Sequence, residues 1–296
     1  MVKPYDLLEN VLIDIEKGIS KGINIEILAT RYSLSDRHLC RLFQFAFKQP
    51  IAGYIRSRKL AASLDVLLKT NSKIVEIALG YDFDYEQSYI KSFKREFGIT
   101  PGDLRKSGQI VKVKPPLYLY DENRLDGSAF FGPDFVMVPQ FHVIGKCCRV
   151  PVSDSVKLPA DAGRHFWDND RSLIKQVINP NVYIGITHKK NHTEVYSDYT
   201  PSVQVKNLSN IPHGYSGHTF DASLCARFRY IGQHHYYDLN ADIAGMMYKA
   251  IWKFYEDNQT KYRMSWDKVY FERIDTGKYD GTYCQLEWFT PVTEKV

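Results

Sequence analysis

The sequence predicts a multidomain chain: an all-α unit holding a double helix-turn-helix, followed by an α+β unit with a duplicated β-α-β-β order. Three observations predict it. Apolar residues recur at helical spacing through residues 5–106, whereas beyond residue 122 they gather in short β-branched and aromatic runs. A pattern centred on Ala29 returns later in the chain, centred on Ala78. Basic charge and tryptophan are distributed in opposite senses: residues 1–108 carry +4 of the net charge of +5, while Trp167, Trp252, Trp266 and Trp288 all follow. The boundaries expected are 1–107 for the helical unit, 108–122 for a linker and 123–296 for the α+β unit.

The helical unit opens on Tyr5–Lys17, with Leu8, Leu12 and Ile15 at helical spacing and Gly18 as a stop. Asn24 and Ser35 can each cap a following helix, because a side-chain oxygen there satisfies free N–H groups of the first turn. With Ile25 as position 1, Leu28, Tyr32, Leu34, Leu39 and Leu42 occupy the positions that must be apolar for two short helices to pack steeply. Ala29 stands at position 5, where a larger side chain forces the helices apart, and Ser33 stands in the turn. The second copy sets Ala78 against Ala29, Phe83 against Leu34, Tyr89 against Leu39 and Phe93 against Phe43, with a turn one residue longer. Between them Ile51–Leu68 reads as one helix fixing their separation. A single such match is weak; two with a connecting helix are strong.

Ser35-x-x-His38-Leu39-x-Arg41-x-Phe43, Tyr54-Ile55-Arg56-x-Arg58-Lys59-Leu60-Ala61 and the closing Phe93-Lys94-Arg95-x-Phe97-Gly98-Ile99-Thr100-Pro101 resemble the AraC/XylS DNA-binding domain. That resemblance implies insertion of two recognition helices into successive major-groove segments of double-stranded DNA, ~34 Å apart, with activation through RNA polymerase as the family expectation. On the first recognition helix, Arg37, Cys40, Arg41 and Gln44 are left free of the apolar core to face bases. Arginine can pair bidentately with guanine, so Arg37 and Arg41 lead. Solvated charge or phosphate contact is the plainer alternative for both. On the second, the corresponding residues are Glu86, Gln87, Ser88 and Lys91; Asp82, Asp84 and Glu86 crowd its start and oppose phosphates. Arg56, Arg58, Lys59, Lys94, Arg95 and Arg105 are phosphate candidates, with an internal salt bridge equally open for Arg58.

Lys112-Val113-Lys114-Pro115-Pro116 suits neither helix nor central strand and marks the linker. Beyond it, Phe135–Val138, Val182–Ile186, Arg227–Ile231, Val269–Ile274 and Tyr283–Phe289 read as strands. Phe166–Ile178 and Leu239–Tyr255 read as helices, the latter with Ile243, Met246, Met247, Ala250, Ile251 and Phe254 along one core face. Val143-Ile144-Gly145, Ala226-Arg227-Phe228-Arg229-Tyr230-Ile231-Gly232, Tyr270-Phe271-Glu272-Arg273 and Leu286-Glu287-Trp288-Phe289-Thr290-Pro291-Val292 resemble the GyrI-like effector-binding domain. The two halves together resemble Rob-like members of the AraC/XylS family. The resemblance implies an amphipathic, often cationic, small-molecule ligand in a cleft between two pseudo-symmetric halves, with an acid at its base. Glu272 matches that acid, and strand alternation sets Tyr270 on its face. A carboxylate among aromatic rings favours an organic cation. Glu287 is the second acidic candidate, on the opposite face from Trp288; Trp288 and Trp252 are candidate ligand contacts or ordinary core.

Other chemistries find little support. No phosphate-cradling, dinucleotide or nucleophile-elbow glycine motif is present, and His234-His235 would point apart on a strand, so no metal, cofactor or catalytic residue is expected. The five cysteines form no C-x-x-C pair, which suits reduced thiols. No apolar run approaches the ~20 residues of a membrane span, and Met1-Val2-Lys3-Pro4 opens no signal segment. The expectation is a cytoplasmic, nucleoid-associated regulator without enzyme activity or membrane partner. Two alternatives stand beside it: hydrolysis by Glu272 with Glu287, or a docking domain with a vestigial pocket.

Overall fold

The computed structural model describes residues 3–20, 22–107, 109–119, 123–151, 157–188, 196–256, 262–265, 269–279 and 281–294. The chain divides into two compact units, Met1–Tyr120 and Asp121–Val296.

The first unit is helical: α1 (Pro4–Gly18), α2 (Ile25–Arg31), α3 (Asp36–Phe47), α4 (Ile51–Lys69), α5 (Ile74–Gly80), α6 (Glu86–Phe97) and α7 (Pro101–Ser107). Asn24 Oδ1 accepts from Ile27 N at 3.0 Å and Ser35 Oγ from His38 N at 3.2 Å, so both expected caps form. At the start of α5 the Glu76 carboxylate takes that role from inside the helix, accepting from Lys73 N at 2.9 Å. Ala29 and Ala78 are wholly buried, where each pair of short helices crosses. The tight turns need a left-handed residue, and Ser33 (φ 58°) and Asp82 (φ 60°) supply it at equivalent positions. Gly98 (φ 77°) ends α6 the same way. α4 links the corners, and Leu60, Leu64 and Leu67 on it pack into one core with Ile77, Ala78, Tyr89 and Phe93.

The stretch expected to be a linker is not loose where it is described. Arg58 Nη1 donates to Lys114 O (3.0 Å), Leu117 N donates to Tyr54 Oη (3.0 Å), and Lys114 pairs with Glu96 (3.0 Å). Its two prolines keep it extended, and its backbone polar groups find partners on the helices beneath.

The second unit contains β1 (Arg124–Leu125), β2 (Ser128–Val138), β3 (Phe141–Gly145), β4 (Cys148–Pro151), α8 (Lys157–His165), β5 (Val182–His188), β6 (Tyr196–Val205), β7 (Ser216–Phe220), β8 (Ser223–Gly232), α9 (Ala241–Glu256), β9 (Tyr262–Met264), β10 (Tyr270–Asp275) and β11 (Cys284–Glu294). Its antiparallel sheet runs β1-β2-β8-β11-β10-β5-β6-β3-β7, with β4 on β6 and β9 on β11. The order is symmetric about the central β5–β10 pair. From β10 the strands run outward β11, β8, β2, and from β5 they run β6, β3, β7. This is the duplicated β-α-β-β order, as β3-α8-β5-β6 and β8-α9-β10-β11.

One helix expectation is corrected. Helical backbone runs from Lys157 through a π turn (Phe166–Asp170) and a 3-10 turn (Arg171–Leu173), then stops, rather than spanning Phe166–Ile178. Gln176 is left-handed (φ 62°) and Val177 bridges Val205, so residues after Leu173 join the sheet's margin. Leu173 and Ile178, counted as a helical apolar face, are exposed.

Candidate nucleic-acid face and ligand cavity

In the first unit, each capped corner presents the outer face of its second helix. On α3, Arg37 and Gln44 are exposed, while Cys40 and Arg41 are half-buried. Burial and the nearby Asp36 raise the Cys40 thiol above its ordinary range, so it stands there as a neutral S–H. On α6, Glu86, Gln87, Ser88 and Lys91 are all exposed, and the Ser88 hydroxyl donates to Tyr85 O at 2.7 Å. Arg56, Lys94 and Arg95 are exposed as well.

Three of the cations expected at phosphates are instead committed to the fold. Arg58 donates to Glu16 through both Nε and Nη2 at 2.9 Å, with Nη1 on Lys114 O. Lys59 is buried, with Nζ 2.7 Å from Asp82 Oδ2. Arg105 closes the end of α4, donating to Leu67 O and Ser72 O at 2.9 Å each. Their charges are spent on carboxylates and on carbonyls left open at a helix end, which corrects the expectation that they hold phosphates.

In the second unit, a cavity of ≈ 300 Å³ opens on the face of the sheet carrying α8 and α9. Tyr270, Glu272 and Ile274 of β10 line it together, as the alternation of a strand demands. The register places Trp288 of β11 on one side of Glu272 and Gly185 of β5 on the other. Tyr270 stacks on Trp288 at 6.0 Å, forming an aromatic wall. Gly185 is needed: a Cβ there would collide with both Glu272 Oε1 and the Tyr199 hydroxyl. In the space it leaves, Tyr199 donates to Glu272 Oε1 at 2.5 Å, and the Tyr183 and Tyr199 hydroxyls lie 2.5 Å apart. Loss of water raises the Glu272 carboxyl to about 7, although the Tyr199 hydrogen bond pulls the other way. Burial and the adjacent Glu272 hold Tyr199 and Tyr183 well above the usual phenol range, so both remain donors.

Two expected ligand contacts fall outside this cavity. Glu287 lies on the opposite sheet face, held by Arg227 at 3.2 Å and Arg273 at 2.9 Å. Trp252 does not line the cavity; it meets Tyr248 edge-on at 5.7 Å. Trp266 lies outside the described residues. Residues that the sequence reading missed supply much of the wall: Trp167, Tyr183, Tyr199, Tyr236, Tyr237 and Tyr248. Tyr183 was accessible by alternation, two places before Gly185 on a recognised strand. Tyr199 was not, because β6 carries polar residues through Tyr196–Thr200 and did not read as a strand. His234 and His235 are occupied with Tyr230 Oη (3.0 Å) and Tyr237 N (3.1 Å), and no metal-holding cluster of three ligands occurs among the described residues. Among them, too, no helix is long and apolar enough to cross a membrane.

Known proteins resemble this chain in both units. Residues 28–107 match a helix-turn-helix domain, and residues 132–283 match the GyrI-like small molecule binding domain. The transcriptional regulator Rob of Salmonella typhimurium is 32% identical over 115 residues, 38% of this chain and 40% of that protein. The chain therefore spans well under half of the first curated relatives it matches. The HTH-type transcriptional activator AarP of Providencia stuartii is 32% identical over 34% of this chain and 75% of its own length. A putative HTH-type transcriptional regulator of Escherichia coli, YkgA, is 32% identical over 52% of this chain and 62% of its own. The chain belongs to the AraC family of helix-turn-helix proteins, in the group whose second domain is the GyrI-like small molecule binding domain.

Proposed function

We propose that this protein is a sequence-specific DNA-binding transcriptional regulator, an activator acting with RNA polymerase in the cytoplasm, tuned by an amphipathic organic cation in the second unit. The observation that carries the reading is the pair of capped corners on one connecting helix, each offering an exposed polar helix face. Arg37 and Arg41 read bases from α3, with Cys40 and Gln44 beside them. Gln87, Ser88 and Lys91 do so from α6, with Glu86 selecting against phosphate or toward a cytosine amino group. Arg56, Lys94 and Arg95 hold phosphates. In the second unit, Glu272 meets the cation's charge while Tyr270 and Trp288 cover its apolar body.

The hydrolase alternative needs two carboxylates at one reacting atom, and Glu287 on the other face of the sheet does not serve Glu272 in that way. A sensing role asks only for a cavity that accepts charge and apolar surface together. The test is selection of duplexes by the full chain from a random pool at physiological ionic strength, with and without a panel of lipophilic cations. One enriched site with two half-sites about one helical turn apart is expected, its affinity shifting on addition of a cation. Loss of that shift in Glu272→Gln assigns it to the cavity. Recovery of no duplex above random competitor overturns the regulator reading.

A further inference from the structure

The acid in the second corner lacks an obvious use. Asp82 takes a left-handed turn (φ 60°) where glycine fits with least strain, and it precedes a helix whose outer face is proposed to meet a polyanion. Its surroundings give it one. Asp82 Oδ2 accepts from Lys59 Nζ at 2.7 Å, and Lys59 comes from the middle of α4, its side chain only 9% exposed. On its other side the same carboxylate faces Gly22, in the loop between α1 and α2. A Cβ at residue 22 would sit 3.4 Å from the Asp82 carboxyl carbon and oxygen. Gly22 is itself left-handed (φ 83°), which lets the loop pass this close without a side chain. The carboxylate thus stands where three segments meet: the entry to the first corner, the connecting helix and the turn of the second corner.

We propose that the Lys59–Asp82 pair, seated against Gly22, is a positioning clasp that fixes the separation and rotation of α3 and α6, and so the half-site spacing the protein accepts. The inference rests on the DNA reading above. The pair also neutralises an acid beside a groove-facing helix, so binding to the second half-site proceeds without that repulsion. α4 alone sets a distance along its axis. The second corner is already packed on α4 through Leu60, Leu64 and Leu67; the clasp adds a direct link from its turn to the loop entering the first corner, and so fixes one corner relative to the other.

The test uses the full chain and the duplex it selects, together with versions carrying one base pair added or removed between the half-sites, and a duplex with only the first half-site. One base pair turns a half-site by roughly 35° around the duplex, so the wild type is expected to lose about tenfold in affinity on either altered spacing. Asp82→Gly removes the carboxylate while relieving the left-handed turn, and Lys59→Met keeps the buried stem. Both variants are expected to bind the single half-site as the wild type does and to lose less than about threefold on altered spacing, with Lys59→Arg restoring the wild-type penalty. If Asp82→Gly folds and binds yet keeps the full spacing penalty, the clasp is overturned. If neither wild type nor variant selects any duplex, the regulator reading itself fails, an outcome distinct from the first. Should Lys59→Met not fold, Asp82→Gly carries the decision.

Discussion

Two arginines that look alike in sequence, Arg41 and Arg58, are given different roles, and for Arg58 the structure shows what holds it. Arg58 has Glu16 at 2.9 Å and a carbonyl at 3.0 Å. Removing it would strand a part-buried carboxylate, so Arg58→Met is a folding variant. Arg41, half-buried on α3 with its Nε enclosed, is proposed to present the rest of its guanidinium to a base. Arg41→Ala is expected to cost ~1–3 kcal/mol for the preferred duplex and to relax preference at one position, measured by competition among single-base variants. Equal weakening for every sequence would make it a phosphate contact. Lys94→Ala, on an exposed side chain, is expected to weaken all sequences alike and lower the salt slope by about 1.

Glu272 makes the stability of the fold depend on pH with a definite sign. Its carboxyl is raised from 4.5 to about 7 by loss of water. Between those values the folded protein holds a proton that the unfolded chain has released. Stability therefore falls as pH rises through this window, and the whole penalty is present above pH 7. Glutamine carries no such penalty. The stability gap between Glu272→Gln and wild type should widen, in favour of the variant, by on the order of 3 kcal/mol from pH 4 to pH 8, read from urea unfolding. Cation affinity is expected to move oppositely, rising in the wild type about tenfold per pH unit up to about 7 and then levelling off. A flat profile would mean that Glu272 is already ionised.

At the scale of elements, the corners carry the clearest debt to local sequence. Ser33 takes a left-handed turn (φ 58°) that costs an L residue about 1–2 kcal/mol. Ser33→Gly is expected to recover about 1 kcal/mol, less whatever glycine adds to the freedom of the unfolded chain. Ser35→Ala, which strips the cap from His38 N, should lose about 1 kcal/mol. Thermal unfolding of the two variants should shift in opposite directions; a common direction would refute this account of the corner. These elements were legible because helix spacing, caps and turns act over a few residues. The helical boundaries followed the apolar period closely, from Ile51 at the start of α4 to the one-residue-longer second turn.

The second unit was legible where a strand's own residues run β-branched and aromatic, including Phe135–Val138 of β2 near the margin. β5, β8, β10 and β11 are central and announced themselves. β6 pairs with β5, β3 and β4, yet its first half bears polar residues and stayed hidden, and Tyr199 with it. Glu272 was reachable because its strand alternates with Tyr270 and Ile274. Its contact with Tyr199 depends on two strands meeting across a glycine, a non-local fact. The same limit hid the fate of Lys59, whose partner lies 23 residues away. A lysine's charge is readable from sequence, whereas its partner is a property of the packed structure.

For the whole molecule, one thermodynamic demand follows from combining a DNA-reading unit with a ligand cavity. If a cation in the cavity changes affinity for the operator by some factor, then operator must change affinity for the cation by the same factor, whatever route the coupling takes. Regulatory couplings of this kind typically amount to about 5–150-fold, large enough to measure from both sides. The experiment titrates operator into the full chain with and without saturating cation, then titrates cation with and without saturating operator. Equal ratios are expected, and Glu272→Gln should bring both to unity while leaving operator affinity of the unliganded protein unchanged. A cation that binds tightly and leaves operator affinity untouched would show a cavity with no hold on the reading helices, because tight binding shared equally by all states shifts none of them. The second unit would then be a docking or storage domain, and the exposed faces of α3 and α6 would act alone.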